Sequence, residues 1–280
     1  MSAIVIDGLR KSYDGFELAI DHLELPDGCI MGLVGENGAG KSTTLRLILN
    51  SARRDAGRIE VLGQDNESPD FGKLKSELGV VFDEAYFPEV LTARQVNKVM
   101  KHTYANWREQ EYFDLLRRFD LPGNKPFKEY SRGMRMKQAI AVALAHEPRL
   151  LLLDEATGGL DPMVRDEILD IFRDFTRNGD NSVLISSHIV SDLEKICDYI
   201  AFLHKGKLRF CLSVDELNER YAILRCTRAE FGQVPPDAVV GKRDNGYGVE
   251  ALLLRDRAQG ISPLERAGIE DIMVYMAKGE

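Results

Sequence analysis

The run Gly35-Glu36-Asn37-Gly38-Ala39-Gly40-Lys41-Ser42-Thr43 follows an apolar segment, Cys29 to Val34, and leads into an amphipathic one. Its glycines let the backbone curl so that successive N–H groups point at phosphate oxygens, and the start of the following helix adds its positive end. Lys41 can neutralise β and γ phosphates, and Ser42 can offer a hydroxyl to Mg²⁺. A strand before and a helix after are the context that makes this G-x-x-x-x-G-K-[ST] pattern a phosphate-binding P-loop. Gly35, Asn37, Gly38, Ala39, Gly40, Lys41, Ser42 and Thr43 are therefore the candidate nucleotide contacts. A second apolar run, Leu150 to Leu153, ends in Asp154-Glu155. Ligands in open α/β sheets sit at the carboxyl ends of parallel strands. Asp154 is thus a candidate to hold magnesium, directly or through water, and Glu155 to face the water that attacks a γ-phosphate.

These groups need a scaffold, and the hydropathy pattern supplies an α/β one. From Ile4 to about Phe82, short β-rich runs alternate with Gly and Asp turns. Between Tyr86 and Pro148 the period becomes helical, with helices expected over Ala93 to Tyr104, Arg108 to Phe119 and Met134 to His146, and breaks at Pro122 and Pro126. Strand signals return at Leu150 to Leu153 and Ser182 to Ser186, with a helix over Val164 to Asn178 between them, the pattern of a buried parallel sheet. Beyond Lys205-Gly206-Lys207 the sequence gives a helix near Val214 to Tyr221 and strand-like pieces at Ala222 to Cys226 and Val249 to Leu254. Asp244-Asn245-Gly246 between them is a hairpin signal, and Glu270 to Lys278 reads as a last helix. The expected fold is an α/β P-loop NTPase core of the RecA-like kind. It spans residues 1–215, with a helical subdomain inserted at about 86–148 and a small α/β appendage over 222–280.

Composition fits a folded, water-facing chain: of 280 residues, 44% are apolar and 29% charged. Lys and Arg number 37 against 45 Asp and Glu, a net charge of −8, so no basic balance draws the surface to nucleic acid. The longest apolar stretch, Ala139 to Ala145, is far shorter than the roughly 18 residues that span a bilayer. The first residues lack a signal-peptide pattern, which points to the cytoplasm. Cys29, Cys197, Cys211 and Cys226 are widely spaced with no CxxC pair, and read as reduced and structural.

With these motifs in this order, residues 1 to 215 resemble the ATP-binding subunits of ABC transporters. Tyr130-Ser131-Arg132-Gly133-Met134 sits where that family has its Leu-Ser-Gly-Gly-Gln signature. The resemblance implies that Ser131 and Gly133 contact the γ-phosphate held by the P-loop of a second subunit. Arg132 and Met134 depart from the motif. By the same resemblance His188 is the switch histidine at the γ-phosphate, Gly159-Leu160-Asp161 is the turn that senses the other subunit, and Tyr13 stacks on adenine. The family glutamine after the strand over Leu78 to Phe82 is replaced by Asp83, with Glu84 beside it; either acid could reach Mg²⁺. Tyr86, Phe87 and Pro88 form an apolar cluster at the place where the family receives a helix of its membrane protein.

The resemblance implies an ATPase that uses ATP and Mg²⁺, pairs with a second ATP-binding subunit, identical or different, and drives a separately encoded multi-spanning permease, most similar to bacterial exporters of antibiotics, peptides or other small molecules. Its place would be the cytoplasmic face of the membrane, peripherally bound, with no nucleic acid involved. Two alternatives are a non-transport ABC ATPase and a regulatory nucleotide-binding module with weak hydrolysis. The full set of Lys41, Asp154, Glu155 and His188 speaks against the second.

Overall fold

The computed structural model describes residues 2–83, 87–244 and 246–278. In chain order the first elements are β1 (Ser2–Tyr13), β2 (Phe16–Pro26), β3 (Ile30–Val34), α1 (Lys41–Ile48), β4 (Ala56–Val61), β5 (Gln64–Asp65), α2 (Phe71–Leu74) and β6 (Leu78–Val81). The helices α3 (Ala93–Thr103), α4 (Glu109–Arg118) and α5 (Arg132–Leu144) follow. Next come β7 (Leu150–Asp154), α6 (Pro162–Thr176), β8 (Ser182–Ser186), α7 (Val190–Ile196), β9 (Tyr199–His204) and β10 (Lys207–Ser213). The chain ends with α8 (Val214–Arg220), β11 (Tyr221–Cys226), α9 (Arg228–Phe231), β12 (Val239–Asp244), β13 (Val249–Leu254), β14 (Glu265–Arg266) and α10 (Ile269–Lys278).

One large sheet runs β5-β4-β1-β2-β10-β9-β3-β8-β7-β6. Strands β9, β3, β8, β7 and β6 are parallel, whereas β1, β2 and β4 form an antiparallel arm. Every residue of β3, β7 and β8 is buried, because layers on both faces cover them, and this is why their sequences are almost unbroken apolar runs. Parallel neighbours release their chains at the same edge. The loops after β3, β7 and β8 therefore leave side by side, which brings the P-loop, the paired carboxylates and His188 together.

The helical layer matches the expected spans to within one or two residues. Helix α5 begins at Arg132 rather than Met134 because Ser131 caps it, its Oγ accepting from Met134 N at 3.2 Å. Tyr112 locks the layer together. Its hydroxyl donates to Ala93 O at 3.0 Å and accepts from Gln138 Nε2, and burial drives its phenol pKa far above the ordinary value. Helix α5 lies close on β6 and β7. A Cβ added at Gly79 would fall 2.4 Å from Leu151 Cδ2 and 2.7 Å from Ala143 O. Gly79→Ala is expected to cost about 1–3 kcal/mol by overpacking, seen as a lower denaturation midpoint in urea; an unchanged midpoint would show that α5 can shift freely.

Strands β12-β13-β11-β14 make a second, small sheet. The Asp244-Asn245-Gly246 signal does not join β11 to β13 as expected; it lies between β12 and β13, which pair antiparallel from Val239 to Asp244. Strand β12 escaped the sequence reading because it is a half-exposed edge strand with Gly241 and three charged residues. Asn245 itself lies outside the described residues. One face of this sheet joins the larger core: Ile223, Leu252, Ile272 and Tyr275 cluster with Phe202 and Leu217. The other face has its own cluster, including Leu224, Ala251 and Leu253. All four cysteines are free thiols, and burial raises their pKa values, that of Cys211 to about 11, so none is a ready thiolate.

Candidate active site

The phosphate loop is shaped by close backbone approaches. At Gly35 a Cβ would sit 2.4 Å from Leu203 O, so the exit of β3 passes over β9 only with glycine there. Gly40 takes φ +108° and begins α1 with no side-chain cap. A Cβ at Gly40 would meet Leu18 Cδ1 at 2.8 Å and Phe16 Cζ at 3.2 Å. The leading N–H groups of α1 thus have no capping side chain, which leaves them for an anion. Lys41 is buried; its ammonium donates to Gly35 O at 2.8 Å and Glu36 O at 3.3 Å, and stands 3.6 Å from Glu155 Oε1.

Asp154 ends β7 and accepts from Ser186 Oγ at 2.6 Å. Ser186, the register partner of Asp154 on β8, also takes the next backbone N–H: Glu155 N donates to Ser186 O at 3.0 Å and to Oγ at 3.2 Å. Glu155 has φ +51°, a left-handed conformation that costs a glutamate about 1 kcal/mol or more. The turn aims its carboxylate back across the strand ends. Glu155 Oε2 lies 2.6 Å from His188 Nδ1 and accepts from His188 N at 3.3 Å. One carboxylate is therefore held between a lysine ammonium and a histidine ring, with the other acid fixed beside it. Ser186 was missed in the sequence; a hydroxyl closing an otherwise apolar strand was the available signal.

This donor set fits a Mg²⁺-bound nucleoside triphosphate. An uncapped helix start and a buried cation face the place where phosphates would lie, and hard oxygen donors come from Ser42 and Asp154. No cluster of three or more His, Cys, Asp or Glu that could hold a metal occurs among the described residues. Tyr13 lies at the tip of the β1–β2 hairpin, 48% exposed, with Lys11 Nζ 5.3 Å from its ring centroid. Phe16, its register partner, packs on Gly40, so the hairpin tip reaches the phosphate loop.

Other sequence candidates gather elsewhere. Ser131 caps α5, and a Cβ at Gly133 would be 3.4 Å from Leu160 Cδ2, placing this turn against the segment that follows Glu155. No hydrogen bond or ion pair joins it to the phosphate loop among the described residues. The capping role leaves the Ser131 O–H free to donate. Asp161 caps α6, its Oδ1 accepting from Val164 N at 3.1 Å. Asp83, a candidate magnesium ligand, accepts from Arg132 Nη2 at 2.7 Å. Glu84 and Tyr86 lie outside the described residues. Phe87 packs on Phe127, ring centroids 4.9 Å apart, as part of the helical core.

Fold and site together define a P-loop ATPase. Residues 18–158 match the family described as "ABC transporter". The chain is 32% identical over 214 residues to the ABC transporter ATP-binding protein YtrB of Bacillus subtilis, covering 76% of this chain and 73% of that protein. It is 35% identical over 223 residues to the daunorubicin resistance ATP-binding protein DrrA3 of Streptomyces coeruleorubidus, covering 77% and 70%. A solved ATP-binding subunit of an ABC transporter superposes with TM-score 0.69 at 25% identity, covering 82% of this chain and 94% of that one. The chain belongs to the ABC transporter family as one of its ATP-binding proteins, and its reaction is ATP hydrolysis.

Proposed function

We propose that two ATP-binding subunits of this kind pair head to tail, each nucleotide lying between one P-loop and the opposite Ser131-Arg132-Gly133 turn, and that hydrolysis drives export through a separate multi-spanning permease. The observation that carries the chemistry is Glu155 held between Lys41 and His188. Glu155 takes a proton from water as its oxygen forms a bond to the γ-phosphorus; the bond to the bridging oxygen breaks and the electron pair leaves with ADP. Lys41 and the α1 N–H groups hold the phosphates, while His188 steadies the γ-phosphate after yielding Glu155 to the water. Mg²⁺, held by Ser42 and Asp154, would neutralise charge on the β and γ phosphates.

The Ser131 turn opens α5 with its O–H free to donate, which supports a contact with a nucleotide held by a second subunit. Phe82, Val90 and Val99 expose apolar side chains near the start of the helical layer and supply a surface for a membrane partner. No described helix is long and apolar enough to cross a membrane; in this reading the permease is another chain and this one sits at the cytoplasmic face. The name of the daunorubicin resistance relative supports an antibiotic or other small molecule as the substrate.

Gly133→Asp tests the composite site. A carboxylate set against a triphosphate should lower hydrolysis by about 100-fold, while ATP affinity measured by calorimetry stays within about threefold. A large loss of affinity would place the turn in its own subunit's site, and unchanged turnover would remove it from the reaction.

A further inference from the structure

Two of the three positions at which the sequence leaves the family pattern, Asp83 and Arg132, touch each other. Arg132 Nη2 donates to Asp83 Oδ1 at 2.7 Å, although the residues lie in different layers: Asp83 follows β6 and Arg132 opens α5. The same arginine side chain lies along Gly159. A Cβ there would fall 3.3 Å from the guanidinium Cζ and Nε, and φ +72° makes glycine the natural occupant. Arg132 thus joins three segments: the Ser131–Gly133 turn, the loop leaving β6, and the turn between Glu155 and Asp161.

The far end of α5 is tied to the same strand. His146 Nε2 lies 3.1 Å from Leu78 O, at the start of β6. Helix α5 is therefore fastened to β6 near both its ends, deep in the core by His146 and at the surface by Arg132. The surface tie is the adjustable one. Its partners are 62% and 48% exposed, so the pair adds little to stability and is sensitive to salt. Its effect lies in direction: a planar guanidinium held by a full carboxylate charge fixes the first turn of α5 more firmly than a neutral amide would.

We infer that Asp83 acts as the anchor of Arg132, and that Arg132 is a positioning residue for hydrolysis, setting the Ser131–Gly133 turn against the Gly158–Asp161 segment. Asp83 then works as a counter-ion and not as a magnesium ligand. The arrangement also gives the loop after β6, beside the exposed Phe82, a charged line to the nucleotide-facing turn of its own subunit. The effect on hydrolysis rests on the head-to-tail reading; the pair itself does not.

The test is a double-mutant cycle in the full chain, with Arg132→Ala, Asp83→Ala, the double variant and the charge swap Asp83→Arg with Arg132→Asp. Each single change is expected to lower kcat about fivefold with KM for ATP within about twofold; the double should be no worse, and the swap should recover most of the loss. Thermal midpoints within about 2 °C of one another would show that folding is not the cause. Additive losses would overturn the inference. So would a raised Mg²⁺ requirement in Asp83→Ala that Arg132→Ala lacks, since that is the mark of a metal ligand. Amide hydrogen exchange at residues 132–135 in the nucleotide-free chain reads the pair without the dimer. Faster exchange in both single variants, reversed by the swap, supports the pair; kcat unmoved in those same variants would overturn its positioning role in hydrolysis. Unchanged exchange overturns the pair.

Discussion

Glu155→Gln is expected to lower the hydrolysis rate by at least about 100-fold, the usual contribution of a general base, while ATP affinity stays within about threefold of the parent chain. The amide has the size of the carboxylate and leaves the backbone bonds to Ser186 and the left-handed turn in place. It loses the ability to take a proton from water. It also loses the charge that faces Lys41 at 3.6 Å, which removes a competitor for the ammonium and should favour the phosphates. Phosphate release at saturating Mg·ATP checks the rate, and equilibrium titration checks the affinity. A rate within threefold of the parent would take Glu155 out of the chemical step.

Lys41→Ala should act on the other side of the reaction, weakening ATP binding at least about tenfold, or 1.4 kcal/mol, because a buried ammonium is lost from a charge-assisted contact. In the free protein the same ammonium satisfies Gly35 O and Glu36 O. The variant therefore also leaves these carbonyls without their donor, and circular dichroism must show that the fold persists. Calorimetry with ATP reads the effect. Affinity equal to that of the parent chain would mean that Lys41 serves the loop and not the nucleotide. The two variants differ in kind: one spares binding and stops turnover, and the other reduces binding first.

Much of this site is legible in sequence because its parts are short and local. The phosphate loop announces itself by glycines between a strand and a helix, and Asp154-Glu155 by four leucines that read as a strand buried on both faces. What one dimension hides is contact between distant segments. Asp83 and Arg132 each look like an isolated departure, and only the packing of α5 on β6 makes them a pair. Ser186 is ordinary until the β7–β8 register sets it beside Asp154. Phe16 and Leu18 look like plain strand residues, yet they press on Gly40 from beneath the phosphate loop. The hairpin signal at Asp244-Asn245-Gly246 points in sequence to β11 as its first strand, whereas β12 pairs with β13 there, because an edge strand with polar residues carries little hydrophobic pattern.

The central claim is that ATP is hydrolysed at a site completed by a second copy. Light scattering of Glu155→Gln with and without Mg·ATP addresses it most directly, since that variant should bind ATP and hold it unhydrolysed. The account predicts the 31.5 kDa mass of one chain without nucleotide and twice that mass with it, with the gain abolished by Gly133→Asp. A chain saturated with ATP that keeps the mass of a single copy would contradict it.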